Sequence, residues 1–199
     1  MNSDNLLMIF IRNPELGKVK TRLAKTLGDE KALHVYNLLL DHTYKVSKRL
    51  RADKAVFYTD FIDSNDKWKT DGFLQFIQNG NDLGEKMNNA FLKAFSMGYK
   101  KVIIIGSDCL DLDEYLLAES FIILDENDTV IGPAKDGGYY LLGMKTLHSE
   151  LFQNKTWSTE NILPDTILDL RNLNISYKLL PTLSDIDEEK DLVNYKNLF

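Results

Sequence analysis

The stretch Lys101-Val-Ile-Ile-Ile-Gly-Ser-Asp-Cys-Leu-Asp-Leu-Asp113 decides the fold class of this chain. Its run of β-branched residues, Val102 to Ile105, is typical of a strand that is buried on both faces. The run ends at Gly106 and is followed at once by Ser107, Asp108, Asp111 and Asp113. Ligands bind beyond the carboxyl ends of strands in open α/β sheets, and a carboxylate placed there can hold a divalent cation. Because Asp and Ser are also favoured N-caps, capping of the next helix is an equal alternative on this stretch alone.

The overall composition predicts one globular domain over residues 1–199. Hydrophobic residues make up 44% of the 199 residues and charged residues 27%, which is usual for a soluble domain with a sizeable core. The formal net charge is −6, which argues against nucleic acid and anionic membranes as partners. Any anionic ligand must therefore be bound by a local basic cluster.

The cysteine count and the N-terminus exclude further classes of protein. Cys109 stands alone, so an internal disulfide and a cysteine-based zinc site are excluded, and we expect a small buried hydrophobic residue there rather than a nucleophile. Residues 1–5 contain no basic region, and the apolar run that follows them is too short for a signal peptide or a membrane span. We therefore expect a soluble cytoplasmic protein.

Apolar periodicity and turn residues divide the chain into alternating strands and helices. We predict strands over residues 6–11, 55–58, 73–77, 102–105, 129–131, 139–144 and 177–180. We predict helices over residues 21–27, 29–50, 83–97, 114–124, 160–171 and 188–198, and a short helix near Glu150. Thr21 would cap the first of these helices, and residues 61–72 would form a polar loop. Alternation up to about residue 130 predicts a parallel sheet covered on both faces. The two adjacent strands around Asp136-Gly-Gly138 break this alternation, so we expect a mixed sheet.

Positive charge is concentrated in the loop after the first strand, although the chain is acidic overall. Arg12, Lys18, Lys20 and Arg22 fall within eleven residues, between a predicted strand and a predicted helix. Backbone N–H groups at such a junction favour anions, and guanidinium and ammonium groups would neutralise a diphosphate. The alternative is a solvated basic turn, which this setting disfavours. Val19 stands where a P-loop needs Ser or Thr, and the absence of a Gly-x-Gly-x-x-Gly turn counts against a dinucleotide oxidoreductase.

Two glycine-rich segments are candidates for a close approach to a ligand. In the segment over residues 132–143, Gly137 and Gly138 follow Asp136 and allow a positive φ or a backbone that passes close to a ligand. Asp-Gly is also a strong hairpin signal, and both interpretations can hold together. The segment Gly80-Asn-Asp-Leu-Gly84 predicts a capped helix start whose Asp82 could also face the cleft.

A second pair of carboxylates follows the last predicted strand. Asp185 and Asp187 project the same way if the backbone is extended, so both could contact one metal ion or substrate. They could equally form the acidic start of the last helix, which suits the helix dipole. The loop Trp157-Ser-Thr159 could stack an indole on a base or sugar, or it could bury the indole.

Six of these segments, in order along nearly the whole chain, resemble a family of short bacterial transferases with the glycosyltransferase-A fold. The family comprises the selenodomain-associated or arsenosugar-biosynthesis-type glycosyltransferases of the nucleotide-diphospho-sugar transferase superfamily. The segments are Phe10–Leu23, Gly80–Gly84, Ile105–Asp108, Gly132–Gly143, Trp157–Thr159 and Asp185–Asp187. The chain is also similar to the phospholactate and molybdenum-cofactor guanylyltransferases, in which a Lys-x-Arg-Leu segment opens the first helix.

The resemblance implies a three-layer α/β/α, Rossmann-like fold with a mixed, mainly parallel sheet. It also implies that the cations of the first loop face nucleotide phosphates, namely Arg12, Lys18, Lys20 and Arg22. By the same likeness, Asp108 would hold Mg²⁺ or Mn²⁺ together with Asp187 or Asp185, and Asp136, Gly137 and Gly138 would lie near the sugar or acceptor. Where the family usually has Pro after Gly-Ser-Asp, this chain has Cys109, which alters the rigidity of the loop and leaves the metal ligand in place.

The leading hypothesis is a metal-dependent transferase that uses a nucleotide-activated sugar and a small-molecule acceptor. In this hypothesis Arg12 and Lys20 stabilise the leaving diphosphate, and Asp136 is the candidate general base. The alternative is a nucleotidyltransferase, in which a phosphorylated substrate attacks the α-phosphorus of a nucleoside triphosphate and releases pyrophosphate. A third hypothesis is a binding module of the same fold without turnover.

Overall fold

The computed structural model describes residues 3–195, which form a seven-stranded mixed sheet with helices on both faces. The strands are β1 (Asn5–Ile11), β2 (Asp53–Tyr58), β3 (Leu74–Ile77), β4 (Lys101–Ile105), β5 (Thr129–Pro133), β6 (Tyr139–Met144) and β7 (Tyr177–Leu179). Their order across the sheet is β3-β2-β1-β4-β6-β5-β7. Strand β6 runs antiparallel to both of its neighbours, whereas the other pairs are parallel. The predicted mixed, mainly parallel sheet is therefore confirmed.

Helices lie in the connections between the strands, except in the short turn between β5 and β6. They are α1 (Thr21–Leu27), α2 (Asp29–Lys48), α3 (Lys67–Thr70), α4 (Leu83–Ser96), α5 (Glu114–Glu126) and α6 (Ile162–Asn172), with 3-10 segments over Ser149–Phe152 and Glu189–Tyr195. Among the helices of residues 3–195, none combines the length and the apolar character that a membrane crossing needs.

Strand β4 is buried on both faces, as its β-branched run predicts. Ile103 and Ile105 belong to the apolar cluster under α1, α2 and α5, and Val102 and Ile104 belong to the cluster under α4 and α6. Strands β1 and β4 are parallel neighbours, so their carboxyl ends open to the same edge of the sheet. The loops that follow these two strands are therefore brought together.

Three local predictions differ from the structure. The polar loop over residues 61–72 contains α3, because Asp66 caps this turn and Trp68 is buried. Thr21 does not cap α1, since the N-cap position is occupied by Lys20 without a side-chain cap bond. The last predicted helix is the 3-10 segment Glu189–Tyr195, and residues 196–198 of that prediction lie outside the described residues.

Candidate active site

Three segments meet at the edge of the sheet where β1 and β4 end. The loop after β1 contains the basic residues, and the loop after β4 contains Asp108. The third segment, residues 183–187, comes after β7 in the chain and lies beside the end of β5, where Leu183 N donates to Pro133 O at 3.0 Å. It is also bonded to the loop after β4, because Ile186 N donates to Asp108 O at 2.9 Å. Parts of the chain that are far apart in sequence thus form one site.

The ammonium group of Lys20 lies between two carboxylates at this edge. Its Nζ is 2.9 Å from Asp108 Oδ1 and 3.0 Å from Asp187 Oδ1. The Lys20 side chain is 5% exposed, whereas the two aspartate side chains are 41% and 42% exposed. Burial would lower the pKa of Lys20, but the charges of the two carboxylates and their hydrogen bonds outweigh burial and raise it above its ordinary value. Lys20 therefore remains a fixed positive charge at neutral pH.

Lys20 reaches this position through an unusual backbone conformation. Its φ of 46° and ψ of 44° lie in the left-handed region, which costs a residue other than glycine about 1 kcal/mol. The side chain turns inward directly before α1, while Arg22, two residues further on, stays exposed. The two ion pairs of Lys20 compensate for this strain, and strained backbone of this kind is concentrated at functional sites.

Ile186 fixes the direction of the two C-terminal aspartates. Its side chain is fully buried in the core, so Asp185 and Asp187 on either side of it project together toward the site. Asp187 forms the ion pair described above. Asp185 is different, because burial, followed by the charges of Asp108 and Asp136, raises its pKa to about 7. Near neutral pH, Asp185 therefore exchanges between its protonated and ionised forms.

The turn Asp136-Gly137-Gly138 borders the same site. Asp136 is exposed, its Oδ1 accepts a hydrogen bond from Gly138 N at 2.9 Å, and its charge contributes to the raised pKa of Asp185. Gly137 has a φ of 89°, which glycine adopts without strain, and a β-carbon there would collide with the backbone of Glu160. The turn thus joins β5 to β6 and also borders the site, as both interpretations of the sequence allow.

The structure gives the cations of the first loop different environments. Lys20 is buried in the site. Lys18 is 65% exposed, and its Nζ is 3.0 Å from Oε2 of Glu15. Arg22 is 66% exposed at the rim, with Nη1 3.9 Å from Oδ2 of Asp187. The predicted phosphate contacts of Lys18 and Arg22 would therefore require these exposed side chains to turn toward a ligand.

Tyr36 joins the loop after β1 to the loop after β4, and sequence reasoning missed it. On α2, its hydroxyl accepts from Arg12 N at 2.8 Å, donates to Arg12 O at 3.0 Å and lies 3.5 Å from Ser107 Oγ. The Arg12 side chain itself is exposed. Burial raises the pKa of Tyr36 well above its ordinary value, so the hydroxyl stays protonated. A tyrosine on an apolar helix face is the available signal, since a buried phenol needs a partner.

Asn13 holds the loop after β2 against the loop after β1, and it was also missed. Its side chain is buried, its Nδ2 donates to Phe61 O at 2.9 Å, and its Oδ1 accepts from Asp60 N at 3.0 Å. Thr59 Oγ1 accepts a further bond from Asn13 N at 3.2 Å. An Asn directly after a buried strand is the signal, because its short side chain readily bonds to nearby backbone.

Other residues singled out in the sequence have structural roles. Asp82 caps α4 by accepting from Glu85 N at 2.8 Å, and Asp113 caps α5 by accepting from Leu116 N at 2.8 Å. In the stretch after β4, Asp113 therefore caps the helix, whereas Asp108 belongs to the site. Cys109 is buried, and burial raises its pKa to about 12, which agrees with a buried hydrophobic residue rather than a nucleophile.

Asp108 and Asp187 suit a divalent cation by charge and by ligand type. Together they carry two negative charges against the single buried charge of Lys20, and because Arg22 is exposed at the rim, water screens its pairing with Asp187 and the group keeps a residual negative charge. Mg²⁺ commonly takes one or two protein carboxylates and completes its coordination with water and phosphate oxygens. Within residues 3–195, His, Cys, Asp and Glu side chains do not gather in threes or more as a ligand set. A cation here would therefore depend on oxygens of the substrate.

Comparison with known proteins identifies relatives of this chain. A family model described as "Uncharacterized protein conserved in bacteria (DUF2064)" matches residues 40–159. The crystal structure of a candidate nucleotide-diphospho-sugar transferase from Desulfovibrio desulfuricans G20 is similar over 98% of this chain and 88% of that chain. The TM-score is 0.88 and the sequence identity is 31%. No curated protein matches the sequence.

More distant solved structures share the fold. One is 4-diphosphocytidyl-2C-methyl-D-erythritol synthase from Anaerococcus prevotii DSM 20548, with a TM-score of 0.62, 12% identity and coverage of 98% of this chain and 95% of that chain. Another is CMP:2-keto-3-deoxy-manno-octonic acid synthetase in complex with CTP, with a TM-score of 0.60, 10% identity and 98% coverage of both chains. These likenesses concern the fold, and with the Desulfovibrio structure they confirm the predicted nucleotide-diphospho-sugar transferase fold.

Proposed function

This chain belongs to the bacterial family DUF2064, and from that premise we propose that it is a metal-dependent transferase that uses a nucleotide-activated sugar. The proposal is carried by the Lys20 ammonium held between Asp108 and Asp187. This arrangement places a fixed positive charge beside two carboxylates at the carboxyl edge of β1 and β4, where ligands bind in open α/β sheets. A diphosphate together with a divalent cation matches both kinds of charge.

Asp108 and Asp187 would hold Mg²⁺ or Mn²⁺, with Asp185 as the alternative second ligand. When bound, the cation supplies neutralising charge for a diphosphate that leaves as the acceptor attacks the anomeric carbon. Lys20 stabilises the same developing charge, and because its position is already fixed by two ion pairs, little reorganisation is needed. Arg12 is exposed beside the site, and its planar guanidinium matches phosphate oxygens in pairs.

Asp136 is the candidate general base on the acceptor side. It is exposed at the border of the site, and the bond from Gly138 N restricts the orientation of its carboxylate. A base in this position would take the proton of an acceptor hydroxyl during the attack.

A nucleotidyltransferase is the second candidate, and the fold shared with the CTP-bound synthetase favours it. In this case Lys20 and the aspartates would face a nucleoside triphosphate. A phosphorylated small molecule would attack the α-phosphorus, and pyrophosphate would be the product.

Product analysis distinguishes the two candidates. The protein is incubated with Mn²⁺ and a panel of sugar nucleotides or nucleoside triphosphates, with and without hydroxyl-bearing and phosphorylated small molecules. Release of nucleoside diphosphate supports sugar transfer, and release of pyrophosphate supports nucleotidyl transfer. If neither product forms with any combination, both proposals fail in favour of a binding module without turnover.

A thermal-shift panel tests the metal site independently of turnover. A ligand at 100 times its dissociation constant stabilises the folded state by about 2.7 kcal/mol, which raises the midpoint of a chain of this size by roughly 5–10 °C. Asp108→Ala is expected to abolish the metal-dependent part of this shift. Asp113→Ala is the matched control, because it removes a carboxylate of the same loop that caps α5 and should keep the full shift. A full metal-dependent shift in Asp108→Ala would disprove the metal assignment.

A further inference from the structure

One long loop contacts both the start of α4 and the turn Asp136–Gly138, and this turn borders the site. The loop covers residues 153–161, between the 3-10 segment Ser149–Phe152 and α6, and we call it the Trp157 loop. Near its middle it contacts the first turn of α4, and near its end it contacts the turn Asp136–Gly138. Both contacts are made at glycines, Gly84 and Gly137, and the sequence alone suggested that these glycines approach a ligand.

The indole of Trp157 lies directly against the backbone of Gly84. A β-carbon at Gly84 would come closer than 3.0 Å to three atoms of the indole, including Nε1. The indole also stacks on Phe152 with ring centroids 6.5 Å apart, and Phe152 packs against Phe91 of α4 at 5.8 Å. Trp157 is therefore held by the backbone of α4 and by a side chain that itself rests on α4.

The end of the loop holds the Asp136 turn through the backbone. Gly137 O accepts a hydrogen bond at 2.9 Å from the N–H of Leu163, the second residue of α6, which follows the loop. A β-carbon at Gly137 would collide with the backbone of Glu160, so the turn and the loop are in close contact. Because close-packed segments transmit displacement, a shift of the loop would move the turn that carries Asp136.

The loop is also fixed on the side that faces α6. Lys155 Nζ is 2.5 Å from Asp169 Oδ2, and the Lys155 side chain is only 2% exposed. Asn154 and Ser158 adopt left-handed backbone with φ of 55° and 64°, so the chain bends sharply on both sides of Trp157. A loop fixed at several points is suited to hold a catalytic group in place.

We propose that Trp157 is a positioning residue: its contact with Gly84 sets the place of the Asp136-Gly137-Gly138 turn and so shapes the acceptor side of the site. The role of Asp136 rests on the proposed function, whereas the contact between Trp157 and Gly84 does not. Trp157 acts on the acceptor side through its loop. The nucleotide side is built on the Lys20–Asp108 ion pair, which does not involve the Trp157 loop, so we expect it to stay unchanged when the loop shifts.

A reversal of sign in thermal stability tests the contact. Gly84→Ala places a methyl group against the indole and is expected to lower the thermal midpoint. In a Trp157→Ala background the collision is absent, and the same substitution is expected to raise the midpoint because Ala favours a helix over Gly. An equal effect of Gly84→Ala in both backgrounds would overturn the contact.

Fluorescence gives a second readout that needs no substrate. The chain has two tryptophans, so Trp68→Phe leaves Trp157 as the single indole. Trp68 is buried against Tyr44 and Phe73, and its replacement is the control that should leave turnover unchanged. In this background Gly84→Ala is expected to shift the emission of Trp157 to the red and to increase its quenching by acrylamide. Unchanged emission and quenching would contradict the contact.

Kinetics test the positioning role with the sugar nucleotide that gives the fastest product release. Trp157→Ala and Gly84→Ala are expected to lower kcat about 100-fold, the loss that a displacement of about 1 Å can cause. KM for the sugar nucleotide and the nucleotide thermal shift should stay at their wild-type values. Trp157→Phe keeps a ring on Phe152 and is expected to recover most of the turnover.

The outcomes separate this inference from the proposed function. Wild-type kcat in Trp157→Ala, or a loss of the nucleotide thermal shift in that variant, would overturn the positioning role while the proposed function stands. If the wild-type protein releases neither product, the proposed function fails and takes the catalytic role of Trp157 with it. The contact with Gly84 is then still decided by the midpoints and by the emission.

Discussion

The wild-type protein is expected to lose stability as pH rises because Asp185 ionises, and Asp185→Asn is expected to abolish this pH dependence. Burial and the charges of Asp108 and Asp136 raise the pKa of Asp185 to about 7, against about 3.9 for an unfolded chain. Between these values the folded protein keeps a proton that the unfolded chain releases. The contribution of Asp185 to the free energy of unfolding therefore falls as pH rises from about 4 to about 7, and it is constant above that range. A difference of roughly 3 pKa units corresponds to a loss of about 4 kcal/mol at most.

Urea unfolding of the wild-type protein and Asp185→Asn from pH 5 to pH 8, in buffer with a chelator, measures this loss. Asn cannot ionise, so the stability advantage of the variant is expected to grow by about 1.4 kcal/mol per pH unit between about pH 5 and pH 7. Other titrating groups contribute to both proteins and largely cancel in the difference. The chelator removes any cation that would favour the ionised form of Asp185.

Asp113→Asn is the matched control for the loss of one carboxylate at the same end of the sheet. Asn is as good an N-cap as Asp, so the cap of α5 is kept. A difference between the wild-type protein and Asp185→Asn that stays constant from pH 5 to pH 8 would refute the raised pKa. An advantage that shrinks as pH rises would mean that Lys20 stabilises the Asp185 carboxylate by more than burial destabilises it.

Three further substitutions test Lys20 in the site and two residues that have structural roles near it. Lys20→Met is expected to lower the free energy of unfolding in urea by about 2 kcal/mol, which is less than the loss of a fully buried ion pair because Asp108 and Asp187 are partly exposed. The variant is also expected to lose the nucleotide thermal shift, and retention of that shift would disprove the role of Lys20. Asn13→Ala removes the side-chain bonds to Asp60 and Phe61 and should cost about 1 kcal/mol, with faster proteolysis of the loop after β2. Wild-type stability would show that these bonds contribute little. Asp113→Ala removes the cap of α5 and should lower the free energy of unfolding by about 1 kcal/mol. Any loss of nucleotide binding in this variant would show that Asp113 belongs to the site.

The sheet could be predicted from the sequence because its signals are local. The β-branched run over residues 102–105 ends at Gly106, and the run over residues 139–144 begins after Asp136-Gly137-Gly138. These runs appear as strands β4 and β6. The two strands around Asp136-Gly137-Gly138 have too short a connection for a parallel crossover, which is why the antiparallel pairing of β6 could be expected. The cap of α5 by Asp113 is a similar local signal.

The different environments of the four basic residues could not be predicted from such local signals. Arg12, Lys18, Lys20 and Arg22 look equivalent in the sequence, and the structure buries only the side chain of Lys20 among them. The burial of the Lys20 side chain depends on the left-handed backbone conformation of this residue, and lysine has no preference for that conformation that could be read from the sequence. Tyr36 was missed for a related reason, because its partner Arg12 lies 24 residues away and no local pattern marks the pair.

The glycine segments illustrate a third limit of sequence reasoning. Glycine can indicate close approach of the backbone to another group, but it does not identify that group. At Gly84 the group is the indole of Trp157, and at Gly137 it is the backbone of Glu160. The prediction that Gly137 and Gly138 contact a ligand therefore stays a prediction, although the turn does border the site.

If the proposed function holds, the charges around Lys20 argue that the cation binds before the anionic substrate or together with it. Lys20 already donates to both Asp108 and Asp187, whose combined charge exceeds its own. A diphosphate without a metal ion would therefore approach a group with a residual negative charge. A divalent cation on the same carboxylates reverses the sign of that charge, and the diphosphate is then attracted by the cation and by Lys20 together. In the proposed function, Lys20 is thus a charge fixed between the two carboxylates that would hold the metal ion rather than an independent phosphate anchor, and this is the physical reason to expect nucleotide binding to require a metal ion.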